Sequence, residues 1–431
     1  MNIFADKRFL IYGKGISGKA AVRAVRACGG KAKLRADADG TFVLKDGKLY
    51  DACVVSPGIK PSHAVYGYCK ANNIPVIGEV DIGFAIAKER GLTVIGVTGT
   101  NGKTTTTQLI ADLVGGAACG NIGYPISTAA LKTDKSVLVC ELSSFQLYNA
   151  SVHPHIAIIT NVASDHVDWH GSIEEYFNCK LRIAENLTAD DFLILGDVPV
   201  KALDRLNTDA RIINCSACDA PDGACVRDGF FCFSGERVCP TDYLRLQGEH
   251  NIKNALCAIA AAKCMGVDNR KILSALSSAT PAPHRVEFVG KALGKYWIDD
   301  SKGTNVAACK AAIEQTHGSL CLIVGGRSKA TDFSELFDGL DKRVAEVIAM
   351  GEAAQDVRDS AVKLMPELKI TLVNGLSDAV RAAARSNAET VLLSPACASF
   401  DEFKNYAKRG EKFKAEVKAL AFKPTGKGAR E

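Results

Sequence analysis

Short apolar runs recur along the chain, separated by stretches whose apolar residues fall three and four apart. The first runs are Arg8-Phe9-Leu10-Ile11-Tyr12 and Ala52-Cys53-Val54-Val55. A second series lies at Val94-Ile95-Gly96-Val97-Thr98, Val137-Leu138-Val139-Cys140, Ile156-Ala157-Ile158-Ile159 and Phe192-Leu193-Ile194-Leu195. A third comprises Tyr296–Asp299, Leu320–Val324, Ala345–Met350, Ile370–Val373 and Val391–Leu393. Such continuous runs, alternating with helical periods, predict strands covered on both faces in mostly parallel sheets.

The segments just past the strand ends carry the chemistry. Val94–Thr98 runs into Gly99-Thr100-Asn101-Gly102-Lys103-Thr104-Thr105, a glycine-rich turn with Lys-Thr opening a helical segment. Backbone N–H groups, a helix N-terminus and a lysine are thereby offered to a phosphate chain, with a hydroxyl placed for Mg²⁺. The Gly-x-x-Gly-Lys-Thr spacing is tighter than that of the common P-loop. Glu141 ends a strand of the same series and is the expected second support for Mg²⁺. Asn161, Asp165, His166 and Asp168 come after the next strand as a group of hard ligands for a second cation or a water.

Gly13-x-Gly15-x-x-Gly18 also lies between a strand and a helix, with Ile16 and Ser17 inside it. The pattern alone admits NAD(P), another diphosphate, or a Rossmann turn with no ligand. Ser56-Pro57-Gly58, at the next strand's end, is placed to close over the same ligand. His250-Asn251 with Asn254 opens a helix and offers amides to an adenine edge or to capping, and His284-Arg285 comes after a proline-rich stretch. Asp300-Ser301-Lys302-Gly303-Thr304-Asn305, Gly325-Gly326-Arg327-Ser328-Lys329 and Ser394–Phe400 each succeed a strand of the third series and suit a small anionic substrate.

The expected fold class is therefore α/β with three domains. A Rossmann-like domain is expected over 1–90, a P-loop-type ATPase domain with a mostly parallel sheet over 91–283, and a Rossmann-like domain over 284–431. Thr280-Pro281-Ala282-Pro283 reads as the linker before the last, because proline stiffens connections and stops helices.

Composition narrows the function without choosing it. With 53 basic and 48 acidic residues in 431, the small positive balance does not argue for nucleic acid or a membrane surface. No apolar run reaches the roughly 18 residues of a membrane span, and the N-terminal residues do not read as a signal peptide, so a cytoplasmic protein is expected. The sixteen cysteines are scattered and read as reduced, buried hydrophobes. Cys215 and Cys218 form C-x-x-C, with Cys225, Cys232 and Cys239 at intervals of seven. Structural zinc needs a second close pair or nearby histidines, so a β-rich cysteine cluster is expected there instead.

Assembled in order, these motifs resemble the ATP-dependent Mur ligases of bacterial peptidoglycan synthesis. The resemblance rests on Gly99–Thr104, Gly120-Asn121-Ile122-Gly123, Glu141–Leu147, Asn161-x-x-x-Asp165-His166, His250-Asn251-x-x-Asn254, His284-Arg285 and Asp300–Asn305. Leu393-Ser394-Pro395-Ala396-Cys397-Ala398-Ser399-Phe400-Asp401 is similar to the motif of the D-glutamate-adding branch.

The resemblance implies ATP-dependent joining of D-glutamate to UDP-N-acetylmuramoyl-L-alanine through an acyl phosphate, in the pathway that supports cell shape and division. It implies a monomer with ATP and two Mg²⁺ ions. Gly15, Ile16, Ser17, Gly18, Ser56, Pro57, Gly58, Asn121 and His166 would bind the UDP substrate, which displaces the nicotinamide reading. Residues Gly99 to Thr105, Asn251, Asn254, Arg285 and Asp300 would bind ATP. Lys103, Glu141, His166 and Lys180 would be catalytic, and Thr104, Glu141, His166 and a carbamylated Lys180 would hold the metals. Lys302, Thr304, Lys329, Ser399, Phe400 and Tyr406 would hold D-glutamate, Tyr406 standing where the family often has phenylalanine. Domain closure is expected, since ATP and amino-acid groups lie on different blocks. A dehydrogenase reading would use Gly13 to Gly18 and leave the phosphate loop and the metal group unexplained.

Overall fold

The computed structural model describes residues 1–37, 50–163, 165–199, 205–206, 208–216, 220, 222–246, 248–280, 283–327 and 331–421. Lys329 and Cys218 lie outside the described residues. Two compact units are present, Met1–Ala279 and Thr280–Glu431.

The first unit holds two sheets. Strands β1 (Arg8–Tyr12), β2 (Lys31–Arg35), β3 (Ala52–Val55) and β4 (Val76–Ile77) form an all-parallel sheet in the order β2-β1-β3-β4. The second sheet contains β5 (Thr93–Thr98), β6 (Ala117–Gly120), β7 (Val137–Glu141), β8 (Ile156–Asn161), β9 (Phe192–Asp197), β10 (Arg211–Ser216), β11 (Ala224–Arg227), β12 (Phe230–Phe233) and β13 (Glu236–Pro240). Their order is β13-β12-β11-β10-β9-β8-β5-β7-β6. The sheet is parallel through β11, and β12 and β13 extend it as antiparallel strands.

Both faces of the central strands are buried, which is why their sequences are continuously apolar rather than alternating. Ile95 and Val97 face one core with Val139 and Ile158, whereas Val94, Leu138, Cys140 and Ile159 face the other. Each fully buried side chain of this size contributes about 1.5–3 kcal/mol relative to exposure. Polar contacts tie the regions of the two sheets in this unit, among them an Arg90 guanidinium bond to Thr133 O at 2.9 Å. The Asn149 amide donates to the Tyr66 hydroxyl at 2.8 Å, Ser151 N–H to Asp81 at 2.7 Å, and Ser127 N–H to Glu79 at 2.8 Å.

The cysteine cluster lies in the β-rich extension. Cys215 and Cys239 are buried on the face packed against helix Glu249–Cys264, while Cys225 and Cys232 pair across β11 and β12 in a separate small core. Cysteines divided between two sheet faces cannot converge on one tetrahedral ion.

The second unit is a sheet of β14 (Glu287–Ala292), β15 (Lys295–Asp299), β16 (Leu320–Gly325), β17 (Val344–Met350), β18 (Lys369–Val373) and β19 (Thr390–Leu393), ordered β14-β15-β19-β16-β17-β18. Within this sheet, among the described strands, only the edge strand β14 runs antiparallel to its neighbour. Leu320, Leu322 and Val324 point into one core and Cys321 and Ile323 into the other, so helices cover both faces.

Candidate active site

In open parallel sheets, ligand groups gather beyond the carboxyl ends of the strands. The phosphate loop leaves β5, Glu141 ends β7 and Asn161 ends β8, and these three strands are neighbours. Gly99 has φ of +146°, and a Cβ there would lie 1.9 Å from Thr160 Oγ1. Gly102 has φ of +79° and would place a Cβ 2.1 Å from Asn254 Oδ1. Both positions therefore demand glycine on conformational and steric grounds. The helix Lys103–Val114 starts directly behind them.

Hydrogen bonds fix the loop from several sides. Asn101 N–H donates to Asn161 Oδ1 at 2.9 Å, and the Asn161 amide returns a bond to Asn101 O at 2.9 Å. Thr160 Oγ1 donates to the same carbonyl at 2.6 Å. Thr100 Oγ1 lies 3.1 Å from the Tyr176 hydroxyl and accepts from Ala163 N–H at 3.0 Å. On the Glu249–Cys264 helix the buried Asn254 amide donates to Asn251 Oδ1 at 3.2 Å, and Asn254 Oδ1 accepts from Thr106 Oγ1, on the loop's own helix, at 3.4 Å. Thr105 stands half-buried on the first turn of the loop's helix.

Behind the loop lie the residues expected to hold metal. Thr104 Oγ1 donates to Glu141 Oε2 at 2.6 Å, and the Asn121 amide donates to Glu141 Oε1 at 2.8 Å. Lys103 Nζ reaches Gly99 O and Thr100 O, both at 2.8 Å, and Lys180 Nζ reaches Gly99 O at 2.6 Å. Lys180 is buried and sits over the Tyr176 ring at 4.4 Å. Burial first, and then the neighbouring Lys103 ammonium, hold its amine well below the ordinary lysine range. His166 occupies a left-handed turn at φ of +52°, with its ring nitrogen 3.5 Å from Asp165 Oδ2 and its ring 4.7 Å from Phe145. Asp168 belongs to the short helix Val167–His170. Hard oxygen donors beside one another, with a buried amine of lowered pKa at the same loop, fit a divalent cation and a carbamate ligand.

A second group surrounds the carboxyl ends of β1 and β3. Gly13 and Gly18 approach so closely that a Cβ on Gly18 would lie 1.9 Å from Gly13 O. Ser56 Oγ is 3.5 Å from that same carbonyl, so Ser56 closes over the turn. Gly15 caps the helix Ile16–Ala27, whose first residues Ile16 and Ser17 are exposed and half-buried. A small pocket connects Ser17 and Pro57 with Phe145, Gln146 and Asn149. It leads from the first glycine turn to the segment just after Glu141, a link that the spacing of motifs along the chain does not reveal.

In the second unit, loops leave β15, β19 and β16, again three neighbouring strands. Arg409, 1% exposed, clamps the loops after β15 and β19: it donates to Ser301 Oγ at 2.9 Å, Ser301 O at 2.8 Å, Cys397 O at 3.1 Å and Ala398 O at 3.3 Å. Gly326 has φ of +139° and a Cβ there would meet Ala398 O at 2.4 Å, so that strand end must be glycine as well. Lys302 Nζ lies 5.1 Å from the Tyr406 ring, and Ser301 Oγ donates to Tyr406 O at 2.8 Å. Thr304 is half-buried in the same loop, Ser399 is buried and Phe400 exposed. Asp300 accepts from Ser394 Oγ at 2.6 Å, and burial pushes its carboxyl up to about 7. Arg285 lies close enough to lower that value in part. His284 bonds Asp299 at 2.7 Å, beside Glu287 and Lys414.

Three residues outside the sequence motifs matter here. Tyr176 joins Thr100 to Lys180, His170 packs beside Phe145, and Arg409 joins the loops after β15 and β19. The Arg-Gly step at 409–410 is the available sequence signal for the last, since Gly410 admits close contact with His284.

Comparison with known proteins adds an independent line. A family model described as Mur ligase middle domain matches residues 97–262, and one described as Mur ligase, glutamate ligase domain matches 284–397. The chain is 36% identical to the UDP-N-acetylmuramoylalanine–D-glutamate ligase of Streptococcus mutans, over 97% of this chain and 98% of that protein. With the enzyme of the same name from Enterococcus faecalis it shares 38% identity, covering 86% and 83%. Among solved structures, the UDP-N-acetylmuramate-alanine ligase of Thermotoga maritima matches with a TM-score of 0.63 at 17% identity, over 96% and 99% of the two chains. The folylpolyglutamate synthase of Mycobacterium tuberculosis matches at 0.60 and 16% identity, over 77% and 94%. At those identities the likeness is one of fold.

Proposed function

The chain belongs to the Mur ligase family, and from that premise we propose that it joins D-glutamate to UDP-N-acetylmuramoyl-L-alanine at the expense of ATP. The observation that carries this reading is the meeting of Lys103, Thr104, Glu141 and Lys180 around one loop, in a chain whose curated relatives bear that name.

The chemistry is dictated by the groups present. A carboxylate is a poor electrophile, so the alanyl carboxylate attacks the γ-phosphorus of ATP and ADP leaves. The amine of D-glutamate then attacks the acyl carbon, the C–N bond forms, and inorganic phosphate departs with the former carboxylate oxygen. Lys103 and the loop N–H groups neutralise charge on the phosphates. Mg²⁺, two ions in this reading, would be held by Thr104, Glu141, His166 and Lys180, and would supply charge stabilisation during phosphoryl transfer. Burial lowers the Lys180 amine well below the ordinary lysine range and so favours its unprotonated form, which can add to carbon dioxide and lose a proton to give an anionic carbamate ligand.

Gly15 to Gly18, Ser56 to Gly58, Asn121 and His166 take the UDP substrate, while Asn251, Asn254, Arg285 and Asp300 serve ATP. Lys302, Thr304, Lys329, Ser399, Phe400 and Tyr406 take D-glutamate. We assign 1–90, 91–283 and 284–431 as domains for these three tasks, in a cytoplasmic monomer. Among the described residues no helix is long and apolar enough to cross a membrane.

An amino-acid panel in a phosphate-release assay with UDP-N-acetylmuramoyl-L-alanine tests the assignment. D-glutamate should stimulate release far above other amino acids. Stimulation by a different amino acid, with none from D-glutamate, would overturn it.

A further inference from the structure

One buried histidine outside the motifs touches three of the four segments that carry an expected metal ligand, those of Glu141, His166 and Lys180. His170 ends the short helix Val167–His170, and its N–H bonds back to His166 O at 3.1 Å. Its ring stacks on Phe145 at 5.5 Å with an 11° interplanar angle, and Phe145 in turn packs on the His166 ring. Nε2 lies 3.0 Å from Ser144 Oγ, three residues after Glu141. Nδ1 lies 3.6 Å from Cys179 Sγ, the residue before Lys180. Ser144, Cys179 and His170 are all buried, so these bonds are shielded from competing water.

We propose that His170 is a positioning residue that locks the Glu141, His166 and Lys180 segments into one register. The inference rests on the metal-ligand reading of those three residues. An imidazole suits the task because its two nitrogens lie on opposite edges of a rigid ring. One edge holds the turn after β7 and the other holds helix Ile173–Leu181, while the ring face holds Phe145. Outer partners of metal ligands commonly alter metal affinity or activity by about 10–100-fold when removed.

The test compares Mn²⁺ binding to the enzyme–ADP complex, measured by electron paramagnetic resonance, in the wild type and four variants. H170A and H170F should each weaken Mn²⁺ binding by about 10–100-fold, with kcat falling while KM for D-glutamate holds. H170F keeps a ring against Phe145, so it carries the test if H170A fails to fold. H170Q can bond both neighbours and should restore most of the affinity. The fourth variant, E141Q, should bind Mn²⁺ weakly. Wild-type affinity in H170F beside a weakened E141Q would overturn the positioning role alone. Wild-type affinity in E141Q would overturn the metal assignment and the inference with it.

Discussion

The glycine-rich loop of the first unit, proposed to bind phosphate, and the loops of the second, proposed to take the amino acid, are built on opposite principles. The former is one contiguous segment whose conformation is set by its own glycines, with Thr160, Asn161 and Asn254 packed against it. The latter is two separate strand ends drawn together by the guanidinium of one buried arginine, with a third tied on by Arg327 N–H donating to Ala398 O at 2.9 Å. Contiguity makes a site local and sequence-coded. Assembly by a buried cation makes a site depend on the whole domain's packing.

Substituting Lys103 by Ala tests the local side of that contrast and should have the largest effect. Loss of the phosphate-binding ammonium is expected to cut kcat by about 10³-fold or more. Circular dichroism and thermal unfolding should remain as in the wild type, because Lys103 is only half-buried and contributes little packing. Retained ligation by this variant would count against the mechanism.

Replacing Arg409 by Met tests the assembled side. The Ser301, Cys397 and Ala398 carbonyls would lose a shared donor in a buried setting, at a cost of about 3 kcal/mol. Urea unfolding should show a weakened second unit, and KM for D-glutamate should rise while ATP affinity holds. Equal losses in ATP and D-glutamate affinity would erase the distinction between the two regions.

Gly102→Ala should cost about 1–3 kcal/mol through the left-handed φ and the clash with Asn254. KM for ATP should rise by about tenfold, and that for D-glutamate should not. The smallest effect is on a slope. Asp300 is held up to about 7 by burial, from an ordinary value of 3.8. The folded state therefore keeps a proton that the unfolded chain releases, and this contribution to stability is present at low pH. It is lost as pH rises from about 4 to 7, by at most about 1.4 kcal/mol per pH unit. Asp300→Asn should flatten that part of the pH–stability curve relative to the wild type, as measured by chemical denaturation.

The same contrast explains which features are legible in the sequence. The alternation of apolar runs and helical periods points to the α/β class, and the relatives of known structure share that fold. Gly99 to Thr104 stands out in the sequence because close approach and positive φ both require glycine at fixed spacing. Glu141 is legible because its strand ends there. Arg409 and His170 are not, since each acts through partners far away in sequence: Arg409 through Ser301, and His170 through Ser144. The antiparallel β12 and β13 escape for a related reason. Their burial is divided between two faces, and the evenly spaced cysteines reflect strand packing rather than a ligand set.

Oxygen transfer tests the central claim most directly. UDP-N-acetylmuramoyl-L-alanine carrying oxygen-18 in its alanyl carboxylate would be turned over with ATP and D-glutamate, and the released phosphate read by phosphorus NMR. An acyl phosphate requires one labelled oxygen to leave with each phosphate. Unlabelled phosphate, formed alongside a new D-glutamyl amide bond, would contradict the account.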